Sequence, residues 1–533
     1  MKKILMFIFT GAFFIGANAK EKPEPIIMKV AGTDVPLSEF IFMAQKDAGV
    51  DLKNKKSIAD YLELFKNYKL KVADAEALKI QETDQFKREY NQYAKQLQTS
   101  FLSDKEGEDS AMHVLFERSK LLPGFQYILV RTPSYDHLPA DTVEPYKTAM
   151  AIYKRLENGE MFETLGEEIK NLNKEDSVIY GKTDFIYPML LPKVVEDRIY
   201  ALQPKEISSV FREKAGFYII KLDKITPNPG QIHVAHILIS LSENPSEEAV
   251  DAARQKADSL YQRLLAGADF AETAKTCSDD TISAKKGGEL NYFGLGAMVE
   301  PFEQASFALQ NSGDISKPVQ TRYGFHIIKL IDKQTDIKFE EVASYIYQKM
   351  SESERSFDLH RSFDEKLKAR YGYFLHQEAY DELEALANLF FPADTGFYYK
   401  GLDMFKPLVR IDTISFPQYA FVDYVFKRPS SAKPLSTDYL AEHFILFVRN
   451  ITTEMERNQL EINYPEYKNL VKEYYDGILL FEITNKRVWS HPSERQADLE
   501  SEWLKEINEK YPVIINKKTV KNIPKYIKQQ SKK

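Results

Sequence analysis

Cysteine is almost absent from this chain of 533 residues: Cys277 stands alone, so no internal disulfide can staple any part of the fold. Long apolar runs are missing after Gly16, so nothing beyond that point reads as a membrane span. An excess of basic charge is missing too. The net charge of −7 leaves no footprint for nucleic acid, and the one locally basic stretch, Lys517 to Lys533, reads as a solvated tail. No cofactor motif stands out, and none is expected. What remains is ordinary globular material, 43% hydrophobic, in a length that implies about three or four domains.

The start is different in kind. Met1-Lys2-Lys3 is basic, residues 4–16 are apolar, and Ala17-Asn18-Ala19 is a small-residue cleavage pattern. The apolar stretch is too short to span a bilayer well, which favours a secretory signal peptide over residues 1–19 against an uncleaved anchor. The mature chain is then expected to start at Lys20 and to work outside the cytoplasm. A single thiol and a Lys-rich leader suit a bacterial periplasm.

An internal repeat organises the middle. Gly216-Phe217-Tyr218-Ile219-Ile220-Lys221-Leu222 recurs as Gly324-Phe325-His326-Ile327-Ile328-Lys329-Leu330. Tyr153-Lys154-Arg155-Leu156 likewise recurs as Tyr261-Gln262-Arg263-Leu264, at the same offset of 108 residues. That period is the size of a domain. Two copies of one fold are expected over 122–225 and 229–333, joined by the stiff Pro227-Asn228-Pro229-Gly230. In the second copy, Val234 to Ile239 reads as a buried strand. Ser246 caps a helix whose stripe is Val250, Ala253, Ala257, Leu260 and Leu264. Short helices follow Asp269 and span Phe302 to Leu309, and Gly324 to Leu330 closes an antiparallel sheet.

The flanks are less specific. Residues 20–120 are expected to be a helical N-terminal domain, with Tyr61, Leu64, Phe65, Tyr68, Val72 and Ala75 on one apolar face. Residues 338–533 open with helices through about Leu389 and continue as an aromatic-rich mixed region, with a last strand at Val513-Ile514-Ile515. The whole is a multidomain α+β chain.

The second copy carries an ordered set of motifs. They are His236-Ile237-Leu238-Ile239, Ser278-Asp279-Asp280 with Ser283-Ala284-Lys285, Gly287-Gly288-Glu289-Leu290, Met298 with Pro301-Phe302-Glu303, and Gly324-Phe325-His326. From end to end this resembles a parvulin, a prolyl isomerase domain. The larger arrangement is similar to the SurA and PpiC group of periplasmic chaperone-isomerases. The resemblance implies a proline slot made by Leu290, Met298 and Phe302, over a pair of central histidines, His236 and His326. It places Asp280 near the substrate carbonyl.

The chemistry asked of such a site is modest. Prolyl isomerisation breaks no covalent bond and must lower a rotation barrier of about 18–20 kcal/mol. A water-poor apolar slot that favours the twisted peptide can do this. An anion at Asp280 would oppose charge on the carbonyl oxygen and favour lone-pair character on nitrogen. No proton transfer is required, so the histidines are expected chiefly to hold the site. Cys277 cannot be aligned with a family cysteine without spoiling Ser278-Asp279, and is expected to be a buried, non-catalytic thiol. A metal site of His233, His236 and His326 is disfavoured, because His233 and His236 point to opposite faces of a regular strand.

The first copy departs where it matters. Tyr127 and Tyr218 stand at the two histidine positions, and the Gly-Gly-Glu-Leu turn has become Tyr180-Gly181-Lys182-Thr183-Asp184-Phe185. This copy is expected to be inactive, a spacer or a peptide-binding surface. The loop Ser240 to Pro245 has no Arg or Lys to hold a phosphorylated substrate. Unfolded exported chains with X-Pro bonds, including outer-membrane proteins, are the expected clients. Two readings stay open: an isomerase acting through the second copy, or a non-catalytic holdase that uses both copies as peptide platforms. The resemblance also implies a C-terminal helix pairing with the N-terminal domain, a part assigned to 338–370.

Overall fold

The structure, a computed structural model, describes residues 24–132, 138–172, 177–429 and 434–530; the expected leader, 1–19, lies outside the described residues. The chain divides into two units. One joins the N-terminal segment through Ser103 to the C-terminal segment from Thr453, and the other is Asp104–Thr452.

The N-terminal segment of the first unit is mostly helical, as expected, and adds a small sheet. It opens with a hairpin, Ile26–Val30 and Thr33–Pro36, turned through Ala31-Gly32. Val513–Ile515, the strand expected at the far end of the chain, pairs antiparallel with Ile26–Val30 and completes a three-stranded sheet. Asn54 then caps the helix Lys55–Ala77, accepting from the amides of Lys56 and Ser57. Ile58, Leu62, Phe65, Leu70 and Val72 face the core, together with Ile478, Leu479 and Ile483 from the helix Pro465–Thr484. Leu64 does not: it is 64% exposed, on the opposite side from Phe65's neighbours.

Buried charge fixes which segment completes this unit. Lys69 meets Asp476 at 2.6 Å and also Glu39, all three being buried. Asp74, wholly buried, accepts from Trp503 Nε1 at 3.0 Å and Tyr511 OH at 3.0 Å and pairs with Arg487 at 2.8 Å and Lys510 at 3.2 Å. Burial alone would push its carboxyl up, but these donors outweigh that and hold it below the usual range. The C-terminal partner is therefore the stretch from Pro465 onward, and the assignment of that part to 338–370 is wrong. Residues 338–370 pack elsewhere: Ile346, Met350 and Leu359 form one cluster with Met112, Leu115 and Phe116 of the helix Lys105–Ser119. That helix belongs to the second unit, so the N-terminal domain ends near Ser103, not 120.

Within the second unit the two repeats share one frame. In the second copy, Gln231–Ser240 pairs with Gly324–Gln334, which pairs with Val319–Thr321. In the first, Leu121–Arg131, Gly216–Pro227 and Phe211–Glu213 are arranged the same way. Details recur at the 108-residue offset. The Ile220 N–H donates to Ser208 Oγ at 3.0 Å, as the Ile328 N–H does to Ser316 Oγ at 3.0 Å. The helices come where the spacing predicts them: Glu247–Leu265 capped by Ser246, Phe270–Cys277 capped by Asp269, and Glu300–Ala308. The first copy adds a fourth strand, Val178–Thr183, against Leu121–Arg131. The second has only isolated bridges at that edge, Ala235 with Glu289 and Ile232 with Phe293. The segment 180–183, read as an altered turn, is thus strand.

A second repeat is visible only in the backbone. The hairpin Pro407–Ile411 and Ile414–Pro417 matches the N-terminal one. Both bulge near the start of the first strand, and both turn through a non-glycine of positive φ, 54° at Asp412 and 46° at Ala31. Each passes through a proline into a 9-residue helix, Gln418–Phe426 or Leu37–Gln45. A 23-residue helix follows in each, Ser436–Asn458 or Lys55–Ala77. The third strand is Phe374–Leu375 in one and Val513–Ile515 in the other, and the first hairpin strand is central in both sheets. Asn516 N–H donates to Ile27 O at 2.8 Å, and His376 N–H to Leu408 O at 2.9 Å. One frame therefore occurs twice, its helix–strand piece preceding the hairpin in one case and following it by most of the chain in the other.

Candidate functional site

Strand register places the two histidines. His326 lies opposite Leu238 and His236 opposite Ile328, so the pair is diagonal on one face of the sheet. Their Nδ1 atoms are 3.2 Å apart, and the rings are 15° from parallel. His236 Nε2 is 2.8 Å from Asp280 Oδ2, and His326 Nε2 is 2.9 Å from Thr321 Oγ1. One set of tautomers satisfies every atom. Carboxylate accepts only, so His236 Nε2–H donates to Asp280. His236 Nδ1 is then a lone pair and accepts from His326 Nδ1–H, and His326 Nε2 accepts the Thr321 hydroxyl proton.

The His326 imidazole is neutral in this chain. Burial, helped by His236 nearby, pushes His326 down to about 4, against a smaller opposing pull from Asp280. At Asp280, burial pushes upward but is outweighed by donors: the Ser283 hydroxyl at 2.6 Å, His236, and the amides of Ser283 and Ile282. Its carboxyl is held down at about 2. Asp280 also caps the short helix Thr281–Ala284, which fixes its χ angles. It is the one member of the network open to solvent, its side chain 26% exposed beside buried His236 and His326.

The slot residues converge on the same face. Phe302, 3% exposed, stands edge-on to both imidazoles, with ring centroids 5.6 Å from His236 and 5.1 Å from His326. Leu290 and Met298, half-buried, join it in one apolar cluster with Ile232, Val234, Phe293 and Ile328. All six residues singled out in the sequence are thus brought together. Thr321, Ser283 and Phe293 were missed. Ser283 and Thr321 lie within or beside the quoted motifs, but a lone hydroxyl carries no sequence signal until its partner is known.

Two residues sit elsewhere. His233 turns to the other face, its ring 4.8 Å from Tyr292 and its Nε2 3.9 Å from Glu289. Among the described residues, no cluster of three or more His, Cys, Asp or Glu could hold a metal ion. Cys277 is half-buried, not buried as expected, because it ends its helix with its thiol toward the Thr276 hydroxyl at 3.5 Å.

In the first copy the same face is filled. Gly181 lies opposite Tyr127, and the Tyr127 ring covers it so closely that a Cβ there would fall 2.4 Å from Cε1. Tyr127 leans on Tyr218 at 6.3 Å, and Tyr218 stacks on Phe211 at 5.8 Å. Val195 holds the helix position that Phe302 has in the second copy. Burial pushes the Tyr218 hydroxyl up to about 12. No imidazole, no carboxylate and no open slot survive on the described part of this face.

Comparison with known proteins finds the same two copies. The PPIC-type PPIase domain matches residues 127–224 and again 221–334. The Chaperone SurA of Burkholderia orbicola (strain AU 1054) is 33% identical over 220 residues, 39% of this chain and 47% of the relative. That of Methylobacillus flagellatus is 34% identical over 224 residues, 41% of this chain and 49% of the relative. The chain thus spans about half the length of the curated relatives it matches. Among solved structures, the peptidylprolyl isomerase PrsA from Bacillus cereus is 33% identical over 26% of this chain and 50% of its own, with a TM-score of 0.19. NmPin, the parvulin of Nitrosopumilus maritimus, is 38% identical over 19% of this chain and 97% of its own, with a TM-score of 0.16. The chain carries two PPIC-type PPIase domains in tandem, the second with an open slot over a histidine pair and the first with tyrosines in its place.

Proposed function

We propose that this chain is a peptidyl-prolyl cis-trans isomerase and folding chaperone for exported proteins, with the second copy as its working site. The observation that carries this is the buried Phe302 ring edge-on to the hydrogen-bonded His236–His326 pair, with Asp280 at the mouth. Phe302, Met298 and Leu290 receive the pyrrolidine ring and exclude water. The Asp280 carboxylate, ionised at neutral pH, opposes negative charge on the prolyl carbonyl and so weakens the amide resonance that makes the barrier. The histidines transfer no proton; their one-directional hydrogen bonds hold Asp280 and the slot floor in place.

The clients are unfolded chains whose X-Pro bonds isomerise slowly, over tens to hundreds of seconds unaided. The expected leader places the work in the periplasm, with outer-membrane proteins among the clients. No helix among the described residues is long and apolar enough to cross a membrane. A holdase reading has its own support in exposed aromatic surface: Phe405, 68% exposed, pairs with Tyr419 at 5.6 Å, and Tyr399 is equally bare.

A protease-coupled isomerisation assay on the full chain tests the main reading. Wild type is expected to accelerate a prolyl tetrapeptide, and Phe302→Ala to lose about tenfold or more in kcat/KM, roughly 1.4 kcal/mol of barrier. A folded wild-type chain without acceleration would leave the holdase reading standing alone.

A further inference from the structure

The loop that leads into the slot is held by the first copy. Phe293 is anchored to Ile232 by two backbone hydrogen bonds, 2.9 and 3.0 Å, and the slot helix begins at Glu300. Between them run Gly294, Leu295, Gly296, Ala297, Met298 and Val299. The Gly296 N–H donates to Glu303 Oε2 at 2.6 Å, tying the loop to the helix that carries Phe302. The other side of the loop meets Phe185 and Tyr187 of the first copy. The Tyr187 hydroxyl oxygen lies against the backbone at Gly294. A Cβ at Gly294 would fall 2.6 Å from that oxygen, and one at Gly296 3.1 Å from Phe185 Cζ. A side chain at either glycine would press on these rings, and the positive φ of Gly296, 83°, favours glycine there as well. Leu295 borders a cavity of about 360 Å³ that Tyr187 and Met189 also line, so no close-packed core immobilises the loop from that direction.

We infer that Tyr187 and Phe185 are positioning residues for the isomerase site: the inactive copy sets the height of the 294–299 loop and thereby of Met298 in the proline slot. Neither residue touches the substrate. They act on a loop whose two ends are fixed, with Glu303 holding its Gly296 amide from the other side. Substrate affinity is where this shows, because Met298 contacts the proline ring in ground and transition states alike, while Asp280 and the histidines are untouched. The inference rests on the second copy being the working site.

The test uses the full chain and two readouts. Tyr187→Ala removes ring and hydroxyl; Tyr187→Phe keeps the ring and removes the hydroxyl that lies against Gly294. Tyr180→Phe is the control, since it breaks an equally internal bond of the first copy, to Gln126 Oε1 at 2.7 Å, without approaching the loop. Both Tyr187 variants are expected to speed amide exchange over 293–298 by about tenfold and Tyr187→Ala to raise KM about fivefold with kcat held, while Tyr180→Phe does neither. Unchanged exchange in both Tyr187 variants, or the same change in Tyr180→Phe, overturns the inference. Faster exchange in a chain with no isomerase activity would instead leave the positioning intact and sink the working-site reading.

Discussion

The two tandem copies have the same frame and opposite interiors. Ser208 and Ser316 accept the same backbone bond, and the slot-side glutamates correspond as well: Glu196 accepts from Met189 N–H and Glu303 from Gly296 N–H, each at 2.6 Å. What differs lies on one sheet face, where His236, His326 and Phe302 are replaced by Tyr127, Tyr218 and Val195. The frame is therefore kept while the residues on that face change, because the hydrogen-bonded scaffold and the face occupy different residues. The first copy has further attachments. Glu196 also meets Arg355 at 2.8 Å and Arg118 at 3.1 Å, binding its helix to the helices around it, whereas among the described residues Glu303 has the loop amide alone.

This gives the sharpest contrast. Glu196→Ala leaves the buried Arg355 guanidinium without its carboxylate, and is expected to cost about 3–5 kcal/mol of stability, read as an earlier urea transition. Isomerase activity at low urea should be unchanged. Glu303→Ala is expected to do the reverse, raising KM with a smaller loss of stability. If the two variants behave alike, the glutamates have not diverged and the comparison fails.

A smaller effect separates the copies by pH. His326 titrates at about 4 folded against 6.5 unfolded, so the unfolded chain binds the extra proton between those values. Its contribution is present above pH 6.5 and is lost as pH falls toward 4, at most roughly 3 kcal/mol. Asp280, held at about 2, adds a loss below pH 3.8. Among the described residues the first copy has no histidine on that face. Its Tyr218, raised to about 12 from 10, is destabilising only as pH rises through that alkaline window. Amide exchange corrected for intrinsic rate should therefore show strands 231–240 and 324–334 losing protection between pH 6.5 and 4 while 121–131 and 216–227 keep theirs. Equal loss in both copies would show that the histidine pair is not what distinguishes them.

Legibility in the sequence followed the same line. The second copy could be read element by element because local signals agree with its fold: Ser246 and Asp269 as caps, a 3-4-3-4 stripe, and two β-branched strands. Its six candidate residues could be singled out because four of them, Asp280, Leu290, Met298 and Phe302, are ordered between two motif histidines. Pairings across the chain could not be read. Nothing near Ile26 announces Val513, and a buried Asp74 is indistinguishable from a surface one until Trp503, Arg487 and Lys510 are seen around it. Leu64 fits an apolar stripe only if the helix faces one neighbour; the actual core takes Leu62 and Phe65 instead. The repeated hairpin frame escaped notice because backbone geometry is kept while residues are not, and because its pieces come in a different order.

The central claim is that chemistry resides in the second copy and has been dismantled in the first. Matched truncations of the two slot helices test it most directly, by prolyl isomerisation in the full chain with Phe302→Ala beside Val195→Ala. The account expects at least about a tenfold loss of kcat/KM for Phe302→Ala and none for Val195→Ala, with both chains folded. A comparable loss from Val195→Ala, or full activity in Phe302→Ala, would contradict it.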